Sequence, residues 1–470
     1  MRITAREIAI ATGGNIILGA PAAAVCGVST DTRGDCAGKL FVPLTGDNYD
    51  GHNFIGAAFK KGAAVALTSK DIADYGLPAG VAPEVAVIMV PDTLKALGRL
   101  AAWYRLKFSP LVVAITGSVG KTTSKEMIAL VLSKKYNVLK SAGNYNNAIG
   151  LPLTVFGLDG AHTAMVLEMG MNQPGEIEAL SKIARPDVAV ITNIGDAHIE
   201  RFGTKQNILK SKLEILEGLS KNGTVFLNGD DMLLKGLMGL IDRQIVYYGV
   251  DEGLDVIGTD AKARGDVGLE FEFSWQGREY AVHLNAAGAH NIHNALAAVA
   301  IGLQHGVTPK QIVDALSEFQ PDKLRMNIST VGGVCLINDA YNANPQSMAA
   351  AVDVLTGLTG GGRRIAVLGD MLELGGLAQE RHREVGAYLS KSGVDALVAV
   401  GAHAADTAFG ARRGRAQNGP VECHVFSEKK GVADYVLNML NPGDFVLVKG
   451  SRGMSMEQVA DAIAEGLSMD

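Results

Sequence analysis

Short β-branched and apolar runs alternate along this chain with longer stretches whose apolar positions recur every three or four residues. That is the pattern of strands alternating with amphipathic helices. It falls into three blocks. In residues 1–108, the runs 39–44, 63–68 and 85–90 predict strands, and 52–61 and 93–107 predict helices. Ser109-Pro110 marks a junction, because proline disfavours helix in the residue before it. Residues 109–320 predict strands at 111–116, 164–169, 188–193, 224–227 and 245–248, a hairpin at 269–284 turning near Gln276-Gly277, and a buried helix at 291–303. Gln320-Pro321-Asp322 reads as the second junction. Residues 321–470 restart the alternation, with strands at 334–338, 364–368, 396–400 and 445–448. The expected fold is α/β in three domains, with a mostly parallel central sheet and a Rossmann-like third domain. That third domain lacks GxGxxG, so dinucleotide binding is not expected.

Composition narrows the class. A chain of 470 residues is too long for one core. A net charge of −6 offers no global basic field for nucleic acid. Cys26, Cys36, Cys335 and Cys423 are scattered without a CxxC, which argues against a disulfide framework or a zinc site. The start, Met1-Arg2-Ile3-Thr4-Ala5-Arg6, lacks the apolar core of a signal peptide, and no apolar run reaches ~18 residues. A cytoplasmic enzyme without membrane insertion is expected, as a monomer.

The chemistry concentrates in the middle block. The strand 111–116 runs into Thr116-Gly117-Ser118-Val119-Gly120-Lys121-Thr122-Thr123 and then a helix. Glycines let backbone N–H groups converge on a phosphate, the helix N-terminus favours negative charge, Lys121 reaches terminal phosphates and Thr122 suits Mg²⁺. Ile115 stands where the common P-loop pattern has its first glycine, so the motif is shortened to Gly117-x-x-Gly120-Lys121-Thr122. Ligands of open α/β sheets gather beyond the carboxyl ends of strands. Glu168 and His198 lie at such ends and are metal-capable. Asn144, Asn146 and Asn147 put three amides in one glycine-bounded loop, a simple turn or a set of donors for a carboxylate or phosphate.

The motifs Gly117-x-x-Gly120-Lys121-Thr122, Gly143-Asn144-x-Asn146-Asn147-x-Ile149-Gly150, Glu168-Met169-Gly170, Asn193-Ile194-Gly195-x-Ala197-His198 and Gly288-Ala289-His290-Asn291-x-x-Asn294-Ala295 together resemble those of the Mur ligases of bacterial cell-wall synthesis. The resemblance runs in order through all three blocks. Ser29-Thr30-Asp31-Thr32-Arg33, Gly38 to Leu44, Asn338 to Pro345 and Val367 to Gly375 resemble the branch that adds D-alanyl-D-alanine to UDP-N-acetylmuramoyl-tripeptide. The Asp-Asn-Pro-Arg signature of the diaminopimelate-adding branch is absent.

The resemblance implies ATP as cosubstrate and two Mg²⁺ ions. It implies that the amides from Thr116 to Thr123 and Lys121 hold the phosphates, that Thr122 and Glu168 bind one Mg²⁺, and that His198 helps bind the second. Lys212 aligns with a lysine the family carbamylates, with Lys210 the competing register. Asn291 and Asn294 would approach adenine, and Arg325 and Asp339 the phosphates and ribose. Tyr341, Asn342 and Asn344 would shape the acceptor side. Ser29, Asp31, Thr32, Arg33 and Thr45 would contact the UDP-sugar of residues 1–108, with Asn144, Asn146 and Asn147 also on the substrate side. Asp370 and His382 are further third-domain candidates without an assigned role. The rival readings are a folylpolyglutamate synthetase-like ligase, which lacks a first domain of this kind, and a nucleotide-binding module without catalysis.

Overall fold

In the computed structural model, which describes residues 1–71, 85–265, 268–414 and 420–469, the middle block's strands form a nine-stranded sheet. Its order is Val138–Lys140, Ala164–Glu168, Leu111–Thr116, Val188–Ile191, Thr224–Asn228, Gln244–Gly249, Val256–Ala263, Leu269–Trp275, Arg278–Leu284. Leu111–Thr116, Ala164–Glu168 and Val138–Lys140 pair in parallel. The last three strands are antiparallel to one another. Gln276 and Gly277, both at positive φ, make the two-residue turn expected between the final two. With the smaller sheets before and after, the chain is a three-domain α/β protein.

By packing, the chain divides into two compact units. One comprises Met1–Thr116, Lys135–Ala189 and Leu213–Thr224; the other comprises Gly117–Lys134, Val190–Lys212 and Val225–Asp470. The first contains a five-stranded sheet ordered Asn15–Gly19, Ala86–Met89, Val65–Thr68, Leu40–Phe41, Val28–Ser29. The run 39–44 yields only the strand Leu40–Phe41, because Pro43 has no N–H to continue a ladder. Residues 52–61 divide into a 3₁₀ turn, Gly51–Phe54, and a helix, Ile55–Lys60. The helix Thr93–Arg105 starts where the Asp92 carboxylate accepts the Lys95 N–H. Its last turn is anchored by Tyr104, whose hydroxyl donates to Leu158 O at 2.8 Å, and by Arg105, whose Nε donates to Ala184 O at 3.0 Å.

The second unit contains a six-stranded sheet ordered Asn327–Val331, Val334–Asp339, Phe445–Lys449, Arg364–Gly369, Ala396–Val400, Glu422–Phe426. All its pairs are parallel except the first. The four strands read from the sequence are its buried centre. The edge strands Asn327–Val331 and Glu422–Phe426 are half exposed and carry no continuous apolar run. The helix Asn291–Gln304 is buried along nearly its whole length. Gly302 lets it lie tightly on the helix Lys121–Ser133, since a Cβ there would sit 2.6 Å from Val131 Cγ1. That close packing sets the position of the loop that precedes Lys121. Among the described residues, no helix is long and apolar enough to cross a membrane.

Candidate functional site

The shortened glycine loop has a built shape. Gly117 has φ +150°, and a Cβ on it would lie 1.9 Å from Thr192 Oγ1. Gly120, at φ +85°, opens the helix Lys121–Ser133. No acidic residue sits in that helix's first turn, so its N-terminal partial charge is left for a ligand. The loop is moored to residues 192–195. Ser118 N–H donates to Asn193 O (3.0 Å), and Val119 N–H donates to Asn193 Oδ1 (2.9 Å). Val119 O accepts from Thr192 Oγ1 (2.6 Å) and Asn193 Nδ2 (2.9 Å). Lys121 Nζ donates to Gly117 O at 2.7 Å. Thr123 is half-buried one turn position further on. The Thr116 hydroxyl, at the head of the loop, is buried without a hydrogen-bond partner. Gly117→Ala is expected to weaken ATP-analogue binding at least tenfold, through about 1–3 kcal/mol of backbone strain plus the clash with Thr192. Gly357→Ala, at a site with nothing within 4 Å of the added carbon, should leave binding unchanged. Calorimetric titration of both variants checks this.

Around the loop, several expected ligand-binding residues hold the protein together. Asn294 Oδ1 accepts from Ser124 Oγ (2.9 Å), its Nδ2 donates to Asn291 Oδ1 (2.9 Å), and Asn291 Nδ2 donates to Ala287 O (2.7 Å). The two amides thus brace the start of the phosphate-loop helix. Arg325 donates to Thr122 Oγ1 at 3.0 Å and stacks 3.8 Å over the Tyr341 ring. Asp339 accepts from Met326 N–H (3.0 Å) and from Lys449 Nζ (2.5 Å). Lys449, nearly fully buried, also donates to Asn342 O at 2.8 Å. Asn344 caps the helix Pro345–Gly357 by accepting from Ser347 N–H. Lys449 was not singled out from the sequence; its only signal is a lysine ending an otherwise apolar strand. Asp370 and His382 belong to another cluster, where His382 Nδ1 donates to Ala378 O and Nε2 accepts from Met371 N–H. Burial pushes the His382 imidazolium down, toward the neutral form.

His198 sits at φ +63° in the loop after the strand Val188–Ile191. Its Nδ1 lies 2.6 Å from Glu373 Oε2, a short contact whose angles fall outside hydrogen-bond geometry. The imidazole holds the Glu373 carboxyl below its usual value, against the opposing effect of burial. Asp196, two residues earlier, lies between Lys205 Nζ (3.3 Å) and Arg381 Nε (3.6 Å). Lys212 is 2% exposed, whereas Lys210 is exposed. Burial, and secondarily the Lys121 charge, pushes the Lys212 ammonium well below the usual lysine range. The inward lysine of the pair is therefore Lys212.

The first unit carries the remaining candidates. Glu168 ends its strand buried, and its Oε1 accepts from Asn146 Nδ2 at 2.8 Å. Gly170 N–H donates to Asn146 O (2.8 Å), closing the asparagine loop onto that strand end. Asn147 Oδ1 accepts from Ile149 and Gly150 N–H groups, and Asn144 O accepts from Asn146 N–H. Asn147 therefore acts as a turn former, while Asn146 meets Glu168. Asp31 and Arg33 pair at 2.7 Å on the surface, which lowers the Asp31 carboxyl to about 2. Ser29 Oγ donates to Asp31 O (2.9 Å), Thr32 O accepts from Lys61 Nζ (2.6 Å), and Thr45 Oγ1 contacts Asp50 Oδ1 at 3.4 Å.

A glycine loop moored beside a helix N-terminus, with a lysine and a threonine entering the helix, gives this three-domain α/β chain a turn shaped to hold phosphate. Family models match along its length: the Mur ligase family catalytic domain at residues 24–105, the Mur ligase middle domain at 115–302, and the Mur ligase glutamate ligase domain at 324–452. The chain belongs to the Mur ligase family. It is 39% identical to the UDP-N-acetylmuramoyl-tripeptide--D-alanyl-D-alanine ligase of Bacillus subtilis (strain 168), over 93% of each chain. It is 36% identical to the ligase of the same name in Escherichia coli (strain K12), again over 93% of each. Among solved structures, MurF from Acinetobacter baumannii superposes with a TM-score of 0.90 at 33% identity, over 99% of each chain. The MurF ligase of Thermotoga maritima in complex with ADP has a TM-score of 0.80 at 28% identity, covering 94% of this chain and 98% of that one.

Proposed function

We infer that this chain joins D-alanyl-D-alanine to UDP-N-acetylmuramoyl-tripeptide, driven by ATP, in peptidoglycan precursor synthesis. The observation that carries the reading is the 39% identity to a ligase of that name across 93% of both chains. The three blocks, 1–108, 109–320 and 321–470, would serve as the UDP-substrate, ATP and carboxyl-terminal ligase domains. The reaction belongs in the cytoplasm, where ATP is made.

The reaction takes two steps. The terminal carboxylate oxygen of the tripeptide attacks the γ-phosphorus of ATP, ADP leaves, and an acyl phosphate results. The amine of D-alanyl-D-alanine then attacks the acyl carbon, loses a proton, and phosphate leaves. Activation is needed because a carboxylate is a poor electrophile. Lys121 and the amides of residues 117–123 bind the phosphates and stabilise charge on the transferring group. Thr122, Glu168 and His198 are hard oxygen and nitrogen donors that suit Mg²⁺, which takes few protein ligands and keeps phosphate and water in its shell. With Glu373 beside His198 Nδ1, Nε2 is the ring nitrogen that could serve as a ligand atom. Bound Mg²⁺ supplies neutralisation of phosphate charge. Lys212, carbamylated, would be an anion beside Lys121. Asn291 and Asn294 support the nucleotide side, and Arg325 and Asp339 the phosphate and ribose side. Tyr341, Asn342 and Asn344 are assigned to the acceptor, and Ser29, Asp31, Thr32, Arg33, Thr45, Asn144, Asn146 and Asn147 to the UDP-tripeptide.

The test is phosphate release from Mg-ATP with UDP-N-acetylmuramoyl-tripeptide, with and without D-alanyl-D-alanine. Release that requires both, with a pentapeptide product by mass, is the expected result. No release with either the lysine or the diaminopimelate tripeptide would overturn the reading.

A further inference from the structure

Three contacts join the loop carrying His198 to the segment 373–375 of the third block. His198 Nδ1 lies 2.6 Å from Glu373 Oε2. Glu200 N–H donates to Glu373 O at 3.2 Å. Gly375, at φ +53°, lies so close to Glu200 that a Cβ would stand 2.9 Å from its Cγ. Both members of the ion pair are non-glycine residues in the left-handed region, each at φ +63°. Such backbone costs about 1–3 kcal/mol per residue and persists where surrounding contacts enforce it, commonly at functional sites. Two strained residues on separate segments, facing each other through their side chains, form an arrangement built for that contact.

A carboxylate packed against one imidazole nitrogen holds the ring's orientation and turns the other nitrogen outward. Here Glu373 Oε2 lies 2.6 Å from Nδ1, which leaves Nε2 as the ring nitrogen able to act as a ligand. We propose that Glu373 is a positioning residue that orients His198 Nε2 toward the second metal ion, so that seating of residues 370–375 on the 195–203 loop completes the metal shell. The inference rests on the reading of His198 as a metal ligand. It makes the third block a contributor to metal binding through a residue that touches neither nucleotide nor metal. Glu373 is half-buried and its partner histidine mostly buried, so the pair is shielded enough to hold one geometry.

The alternative role is a plain latch between the two segments, and Arg381 separates the two. Arg381 reaches the same loop through Asp196, at 3.6 Å, without touching the imidazole. Mn²⁺ titration followed by electron paramagnetic resonance, on the full chain with a non-hydrolysable ATP analogue, reads the affinity of the second ion directly. Glu373→Ala should weaken that ion 10- to 100-fold, the usual effect of losing a metal-ligand orienter. Glu373→Gln, which keeps the acceptor and the volume, should weaken it by about 3- to 10-fold, and it decides the matter if the alanine variant melts early. Arg381→Ala should leave it unchanged. The Michaelis constant for Mg²⁺ should rise in the Glu373 variants while that for D-alanyl-D-alanine stays put. Wild-type Mn²⁺ affinity in both Glu373 variants, with affinity lost in His198→Ala, overturns the inference and leaves the ligand reading intact. Equal losses in Glu373→Ala and Arg381→Ala assign a latch and overturn it too. Wild-type affinity in His198→Ala removes the ligand reading itself.

Discussion

Lys121→Ala is expected to lower the ligation rate by about 10³-fold or more, ~4 kcal/mol of transition-state stabilisation, without unfolding the chain. The ammonium projects from the first position of the helix and reaches back over the loop to Gly117 O at 2.7 Å. On the proposed reading, that is where it would meet charge on a transferring phosphoryl group. The loop does not depend on it for shape, because Thr192, Asn193 and Gly195 hold residues 118 and 119 independently. Charge builds up in the transition state, so the turnover number should fall more than ATP affinity. Lys121→Arg is not a conservative control, since a planar guanidinium presents its donors in a different geometry. Steady-state phosphate release and thermal melting, measured on the same preparation, check the claim. Near-wild-type turnover in Lys121→Ala would withdraw the phosphate role.

The fold was legible where burial writes itself as an apolar run. The strands Leu111–Thr116, Arg364–Gly369 and Ala396–Val400 are almost wholly buried, and each is a continuous Val, Ile, Leu or Ala stretch. The hairpin turn was legible because Gln276-Gly277 marks a positive-φ pair. Most strands that escaped notice are short or sit at edges; the exception is Val256–Ala263, eight residues inside the large sheet, whose second half is exposed and polar. Val138–Lys140 has three residues, and Asn15–Gly19 turns only Ile16 and Leu18 toward the core, each half-buried. Two apolar positions are too few to show a strand's alternation, and only its pairing makes the segment a strand.

The site was legible to a different degree. The loop residues 117–122 carry their function in local chemistry, so the motif was visible before any partner was. Gly117 is the sharpest case: its missing side chain is explained by Thr192, 75 residues away, which no local pattern reveals. The contacts of Glu373 and Lys449 with candidate site residues were invisible for the same reason. Each meets its partner, His198 or Asp339, only through the fold. Asn344 was visible as part of a motif, yet the structure gives it a helix-capping task that an Asn before Pro345 also satisfies. The choice between Lys210 and Lys212 needed burial, because both lie in the last turn of one short helix.

Lys212→Ala is expected to cut turnover by about 10²- to 10³-fold, with millimolar formate or acetate recovering part of the loss. Lys210→Ala should keep wild-type activity. A buried ammonium without an acidic partner is costly, and the Lys121 charge adds repulsion. Both effects push the ammonium toward the neutral amine, the form that adds CO₂. The addition joins the amine nitrogen to the CO₂ carbon and releases one proton, so a neutral amine becomes a carbamate anion. The new anion attracts Lys121, whose charge disfavours the unmodified ammonium, and a metal-binding oxygen is created. A free carboxylate entering the space left by Lys212→Ala supplies the same anion without the covalent link. Two measurements decide the point. Wild-type turnover should fall when dissolved CO₂ is stripped and recover with bicarbonate, and ¹³C-bicarbonate should give a carbamate resonance that is missing from Lys212→Ala. If turnover ignores CO₂, carboxylates rescue nothing and no such resonance forms, Lys212 acts as an unmodified buried amine and the carbamate assignment falls.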